Sequence, residues 1–297
     1  MVRQKIFVIG ECMIELSNIN KNIYNQSVAG DTLNFCSYLN NNFFYIEYLT
    51  ALGKSKINRQ ILKFIKEKKI STKHINNSNK FETGLYLIQN DKKGEKQFYY
   101  WRDQSAAKNF FKKINFFKYY NVAKDFQYIY FTGITLSIFD INKIEQFSKF
   151  LNKVRKNNVK IIFDLNIRVN RWKKNELNKS LKLILPKIDI LFASGEDIFL
   201  WKQKSSIVFF QETLKKYNIK HGIFRKNAKF NYAFYKGKKY FNKNKIKTNI
   251  IDSSGAGDGY NAAYFSKFIE TRNPKLSLRS GSDLGSKIIM QKGSIIN

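Results

Sequence analysis

From about residue 120 onward the chain alternates short apolar runs with longer amphipathic ones, and no other feature constrains the fold as much. The apolar runs are Tyr128-Ile129-Tyr130-Phe131, Lys160-Ile161-Ile162-Phe163, Ile188-Asp189-Ile190-Leu191-Phe192 and Gly222-Ile223-Phe224. Helical stretches, such as Ile141 to Asn157 and Asn175 to Leu185, fall between them. Apolar strands separated by helices form a mainly parallel sheet covered on both faces. Ligands bind such sheets beyond the carboxyl ends of the strands. The expected class is α/β, and 297 residues suffice for one large domain with a substantial core.

The first half adds a second theme. A strand is expected at Lys5-Ile6-Phe7-Val8-Ile9, ending at Gly10. A helix is expected after Gly30-Asp31-Thr32, with Leu33, Cys36 and Leu39 on one face and Asp31 or Thr32 as its cap. Residues Thr83 to Ile88 and Lys96 to Trp101 read as two strands joined by the turn-rich Asn90-Asp91-Lys92-Lys93-Gly94. This hairpin is placed in a small sheet flanking the main domain. No repeat, low-complexity linker or Pro/Gly-rich hinge divides the chain.

Composition excludes several classes. No apolar run approaches the roughly 20 residues needed to cross a bilayer, and only five apolar or small residues, Ile6 to Gly10, follow the basic start. A cytoplasmic, membrane-free protein is expected. Cys12 and Cys36 lack metal-ligand spacing and read as packing residues; His74 and His221 are isolated. The net charge of +32, from 54 basic and 22 acidic residues, would ordinarily suggest nucleic acid. The lysines are scattered, however, among Asn, Ile, Phe and Tyr, all specified by A/T-rich codons. Mutational bias is the preferred source, with nucleic acid the lesser reading. A positive surface would still attract an anionic substrate.

The segment Asp252-Ser253-Ser254-Gly255-Ala256-Gly257-Asp258 stands between an expected strand, Lys247 to Ile251, and an expected helix from Gly259. Small residues there let backbone N–H groups approach an anion, and the helix dipole favours negative charge. Asp258 beside that site would be explained if it took a proton from a hydroxyl as general base. An ordinary glycine-rich helix start accounts for the same residues.

Asp252 to Asp258 resembles the D-T-x-G-A-G-D signature of the ribokinase-like (PfkB) carbohydrate kinases. Gly10-Glu11-Cys12-Met13-Ile14-Glu15-Leu16, Gly30-Asp31-Thr32-Leu33-Asn34, Tyr99-Tyr100-Trp101-Arg102, Ala106-Ala107 and Asp164-Leu165-Asn166-Ile167-Arg168 extend the resemblance over nearly the whole chain. They are similar to the members that phosphorylate a sugar acid, 2-keto-3-deoxygluconate, at its C6 hydroxyl with ATP and Mg²⁺. The resemblance implies a single ribokinase-like domain over residues 1–297, a three-layer sandwich with a mainly parallel sheet and a small β-sheet lid from segments near 11–30 and 82–103. It also implies a homodimer formed through that lid. No G-x-x-x-x-G-K-[ST] loop is present, so a P-loop kinase is not expected.

By the same resemblance Asp258 is the base, and the N–H groups of Gly255, Ala256 and Gly257 hold the transferring phosphoryl group. Gly30, Asp31 and Asn34 hold sugar hydroxyls. Tyr86 and Tyr100 supply hydroxyl contacts and an aromatic wall, although a hairpin face packed on the core would use them too. Arg102 and Arg168 suit a carboxylate, because a planar guanidinium binds one through two parallel bonds; a surface arginine with a loop partner is the plainer reading of Arg168. Asn166, Arg168, Ser194, Arg225, Asn227, Phe230, Gly255 and Gly257 lie near the nucleotide. Two departures stand out. Asn227 replaces a family glycine, where Asn tolerates a left-handed backbone. Ser194 and Asp197 replace the Asn and Glu of the family's N-x-x-E element. The rival readings are a kinase for fructose or another neutral sugar, a decayed kinase, and a basic nucleic-acid-binding protein on a kinase fold.

Overall fold

The computed structural model describes residues 3–296 except 21–22, 91–95, 174, 204–205, 228 and 245–249. The strands are β1 (Gln4–Ile9), β2 (Met13–Asn20), β3 (Ile23–Ala29), β4 (Phe44–Leu52), β5 (Ile70–Ser71), β6 (Ile75–Asn77), β7 (Leu85–Asn90), β8 (Lys96–Trp101), β9 (Tyr128–Thr132), β10 (Lys160–Asp164), β11 (Ile190–Ser194), β12 (His221–Arg225), β13 (Phe230–Tyr235) and β14 (Lys238–Lys243). The large sheet runs β14-β13-β12-β11-β10-β9-β1-β4-β5, with β6 also paired to β4. It is parallel from β12 to β5. The β13–β14 hairpin extends it antiparallel at one edge.

Side chains alternate across this sheet, and each face builds its own core. Phe7, Ile9, Phe131 and Phe163 point to one side, under helices Ile141–Arg155 and Glu176–Ile184. Ile6, Val8, Tyr130 and Ile162 point to the other, under helices Asp31–Tyr38, Ala256–Thr271 and Pro274–Ile288. The result is the expected three-layer α/β sandwich. No helix among the described residues is long and apolar enough to cross a membrane.

A separate four-stranded sheet has the order β3-β2-β7-β8. Its two hairpins are antiparallel, and they join through a parallel β2–β7 contact. Met13, Ala29, Tyr86 and Ile88 form its small core.

Two local expectations change, and a third lies mostly outside the described residues. The helix after Gly30 has Gly30 itself as cap, with no side-chain bond; Asp31 is in the first turn and accepts from Thr32 N–H at 2.9 Å. Of the strand expected at 247–251, residues 247–249 lie outside the described residues. Ile250 and Ile251 are exposed and outside any strand, with Ile251 N–H bonded to Ile289 O at 2.8 Å. The tip expected at 90–94 falls mostly in the undescribed 91–95. The β2–β3, β4 and β13–β14 strands were not named from sequence; β2–β3 is polar, but β4 is a mostly apolar run flanked by Asn40-Asn41-Asn42 and Gly53, and Lys236-Gly237 marks the β13–β14 turn.

Candidate active site

Asp258 is in the first turn of helix Ala256–Thr271, whose cap is Gly255 at φ 71°. That left-handed conformation favours glycine, and space enforces it: a Cβ on Gly255 would lie 2.4 Å from Ser294 O. Asp252 braces the turn, accepting from Ser254 N–H at 2.8 Å and Gly293 N–H at 3.1 Å. Tyr38 OH donates to Ser294 O and accepts from Ile296 N–H, both at 2.9 Å. Ala256 N–H has a long bond to Ser253 O at 3.4 Å and Gly259 N–H donates to Gly255 O at 2.9 Å; in general the N–H groups that open a helix have no intrahelical partner and suit an anion.

Across from the turn stands helix Asp31–Tyr38. Asn34 Nδ2 donates to Asp258 Oδ2 at 2.8 Å, and its own Oδ1 is buried without a partner among the described residues. Asp31 Oδ2 accepts from Thr132 Oγ1 and, at 3.0 Å, from Asn166 Nδ2. Gly30, at φ 133°, has no room for a side chain, since a Cβ would lie 2.6 Å from Glu11 O. Thr132 and Asp164 end β9 and β10, so the cluster lies at the carboxyl ends of parallel strands.

Burial raises the proton affinity of the carboxylates, and the charge of Asp31 adds to it at Asp258 and Asp164. Loss of hydration, followed by the charge of Asp31, pushes Asp258 well above the usual carboxylate range against the Asn34 bond. Burial likewise raises Asp31, offset by the Thr132 bond and by the charges of Arg102 and Arg168. Burial takes Asp164 up to about 7. A carboxylate with raised proton affinity at a helix N-terminus can deprotonate a hydroxyl at an anion site.

The two arginines differ. Arg168 is exposed and its Nη1 donates to Ile167 O at 2.9 Å. Arg102 is buried and ion-paired with Glu11. The positive charges of both lower the proton affinity of Asp31. Tyr86 is buried, with its OH on Glu15, and its ring centroid is 5.8 Å from that of Tyr100. Tyr100 is half exposed.

On the expected nucleotide side, Arg225 Nη1 donates to Gly257 O and Asn261 Oδ1, both at 2.7 Å, and the guanidinium lies 3.9 Å from Asp164. Ser194 and Asp197 form a reciprocal capping box that starts helix Gly195–Lys202, and Asp197 Oδ1 also accepts from Ile167 N–H at 2.7 Å. Asn227 is not left-handed. Its Oδ1 instead accepts from the N–H groups of Lys229 and Phe230, both at 3.0 Å, an Asx turn that replaces the glycine's backbone freedom with a side-chain bond. Phe230 begins β13, half buried.

Sequence reasoning did not name Glu11, Thr132, Asp164 and Asn261 as candidate site groups. Asn261 Nδ2 donates to Asp164 Oδ2 at 2.8 Å and so ties helix Ala256–Thr271 to β10. Glu11 and Asp164 stand within the motifs that carry the resemblance; the signal of Thr132 and Asn261 was a polar residue interrupting an apolar run.

The family described as "pfkB family carbohydrate kinase" matches residues 3–297. A Haemophilus influenzae protein named 2-dehydro-3-deoxygluconokinase is 31% identical, over 99% of this chain and 96% of that one. Two solved structures share the fold. The 2-dehydro-3-deoxygluconokinase of Thermotoga maritima has a TM-score of 0.85 at 19% identity, covering 99% of this chain and 95% of its own. An Escherichia coli putative ribokinase II, in complex with ATP and Mg²⁺, has a TM-score of 0.84 at 17% identity, covering 98% and 94%.

Proposed function

The chain belongs to the pfkB family of carbohydrate kinases, and on that premise we propose that it phosphorylates the C6 hydroxyl of 2-dehydro-3-deoxygluconate (2-keto-3-deoxygluconate) with ATP. The observation that carries the reading is the Asn34–Asp258 bond, which joins the helix that follows Gly30 to the glycine turn; the charges of Arg102 and Arg168 both act on neighbouring Asp31. A neutral sugar would not require paired arginines, whereas a sugar acid matches them. The name carried by the full-length relative points the same way.

In this reading Asp258 takes the hydroxyl proton as the oxygen attacks the γ-phosphorus and ADP leaves. The N–H groups at Gly255, Ala256 and Gly257 hold the phosphoryl oxygens. Asp31, Asn34 and Gly30 orient the sugar, and Tyr86 and Tyr100 of the small sheet wall it as a lid. Asn166, Arg168, Arg225, Asn227 and Phe230 border the nucleotide.

The residues do not build a protein cage for magnesium. Among the described residues no three His, Cys, Asp or Glu side chains converge on one. Asp197, where the family has its Glu, has both oxygens committed to the Ser194 and Ile167 bonds. A magnesium ion fits this chain as one carried by the ATP phosphates, whose charge it neutralises. The exposed aromatics of edge strand β8, Phe98 to Trp101, fit pairing with a second copy through the lid.

A coupled ADP-release assay tests the reading. The expected result is turnover of 2-dehydro-3-deoxygluconate well above that of fructose and ribose. Preference for either neutral sugar would refute it.

A further inference from the structure

Four passages of chain join the small sheet to the core: Gly10-Glu11-Cys12 into β2, Gly30 out of β3, Thr83-Gly84 into β7, and Arg102 to Ser105 out of β8. Glu11 meets all four. Its carbonyl oxygen accepts from Thr32 Oγ1 at 3.5 Å and is the atom that leaves no room for a Cβ on Gly30. Its carboxylate accepts from Arg102 Nη2 and Ser105 Oγ, and a Cβ on Gly84 would come within 3.0 Å of Oε1. Glu11 and Arg102 are 2% and 5% exposed.

A buried ion pair is a poor source of stability, because desolvation of both charges offsets their attraction. The residual capacity of Arg102 points to another role. Its Nε is buried without a partner among the described residues, while its Nη2 is committed to Glu11. Glu11 thus fixes the arginine at the joint with bonding capacity to spare.

We propose that Glu11 is a positioning residue for acid recognition: by fixing Arg102 at the joint between sheet and core, it keeps the guanidinium open to the carboxylate of the sugar acid. The proposal rests on the sugar-acid reading above. With the Glu11 charge removed, the guanidinium loses the ion-pair partner that fixes it at the joint, and its aim at substrate is lost.

The test is steady-state kinetics of wild type and Glu11→Gln on 2-dehydro-3-deoxygluconate. Glutamine keeps the shape and an acceptor oxygen but loses the charge. The expected result is a KM raised about tenfold with kcat within about twofold, since displacing a binding group by a fraction of an ångström weakens substrate capture. An unchanged KM, or a fall in kcat at constant KM, overturns the proposal. Should Glu11→Gln fail to fold, Ser105→Ala frees one side of the carboxylate. It also removes a helix cap, because Ser105 Oγ accepts from Lys108 N–H at 3.1 Å; that loss lowers Tm and does not by itself move KM. A KM raised about threefold at constant kcat is expected from the freed carboxylate, and an unchanged KM overturns the proposal. Wild type that ignores the acid but phosphorylates a neutral sugar would instead refute the sugar-acid reading, and this proposal with it.

Discussion

Replacing Gly255 with alanine should damage the phosphate turn in two separable ways. Alanine in the left-handed region, here at φ 71°, costs about 1–2 kcal/mol. The new Cβ also lies 2.4 Å from Ser294 O, about 1 Å inside van der Waals contact. Ser294 cannot retreat freely, because Tyr38 OH holds its carbonyl at 2.9 Å and Asp252 holds the adjacent Gly293 N–H at 3.1 Å. Giving up one such bond adds about 1 kcal/mol, for a total near 2–3 kcal/mol. With an unfolding entropy of about 2.1 cal/mol/K per residue over 297 residues, Tm should fall by about 4 °C. The first-turn N–H groups shift with the backbone, so kcat should drop at least about tenfold. Gly293→Ala is the control: Gly293 is also left-handed, at φ 90°, but a Cβ there meets nothing within 4 Å. It should show only the backbone cost, about 2 °C. Differential scanning fluorimetry and ADP-release kinetics read both. Equal Tm shifts for the two variants, or full activity in Gly255→Ala, would refute the reasoning.

Asp258→Asn should lower kcat by at least about a hundredfold with little change in substrate binding; near-normal turnover would remove Asp258 as the base. Because the proton affinity of Asp258 is raised, the acidic limb of the kcat/KM profile should lie above the ordinary carboxylate range. Arg168→Lys should raise KM for the sugar acid, since a point charge lacks the planar fork; an unchanged KM would argue against a carboxylate contact. For Asp164, whose folded value is about 7, the folded state holds a proton that the unfolded chain has released between about pH 4 and 7. Its stabilising contribution is full below that window and lost as pH rises through it. Asp164→Asn should flatten the decline of Tm between about pH 4 and 7, and parallel curves would count against the shift.

The parallel core was legible because strands buried on both faces announce themselves: Tyr128–Thr132 and Lys160–Asp164 lie within one residue of their expected ends. The glycine turn was legible through its resemblance to the family signature, since an ordinary glycine-rich helix start accounts for the same residues. Contacts made over long sequence separation were not. Glu11 meets Arg102 across 91 residues, and a lone acid between Gly10 and Cys12 has no periodicity to mark its partner. The substitution at Asn227 was visible, but a left-handed backbone was expected where the side chain instead bonds forward to Lys229 and Phe230. The Ser194 and Asp197 departures looked like losses from a motif, and in the fold they satisfy each other as a helix cap.

The connectivity of the small sheet also sets an order of assembly. Its hairpins, β2–β3 and β7–β8, each form from neighbouring sequence, but an isolated two-stranded hairpin is marginal in water. They become one sheet only through the parallel β2–β7 contact, whose strands are separated in sequence by β4, β5, β6 and two helices that belong to the core. Closing that contact carries the loop entropy of the whole intervening segment until the segment has docked. The small sheet should therefore be completed late in folding and show the weakest amide-exchange protection in the native state.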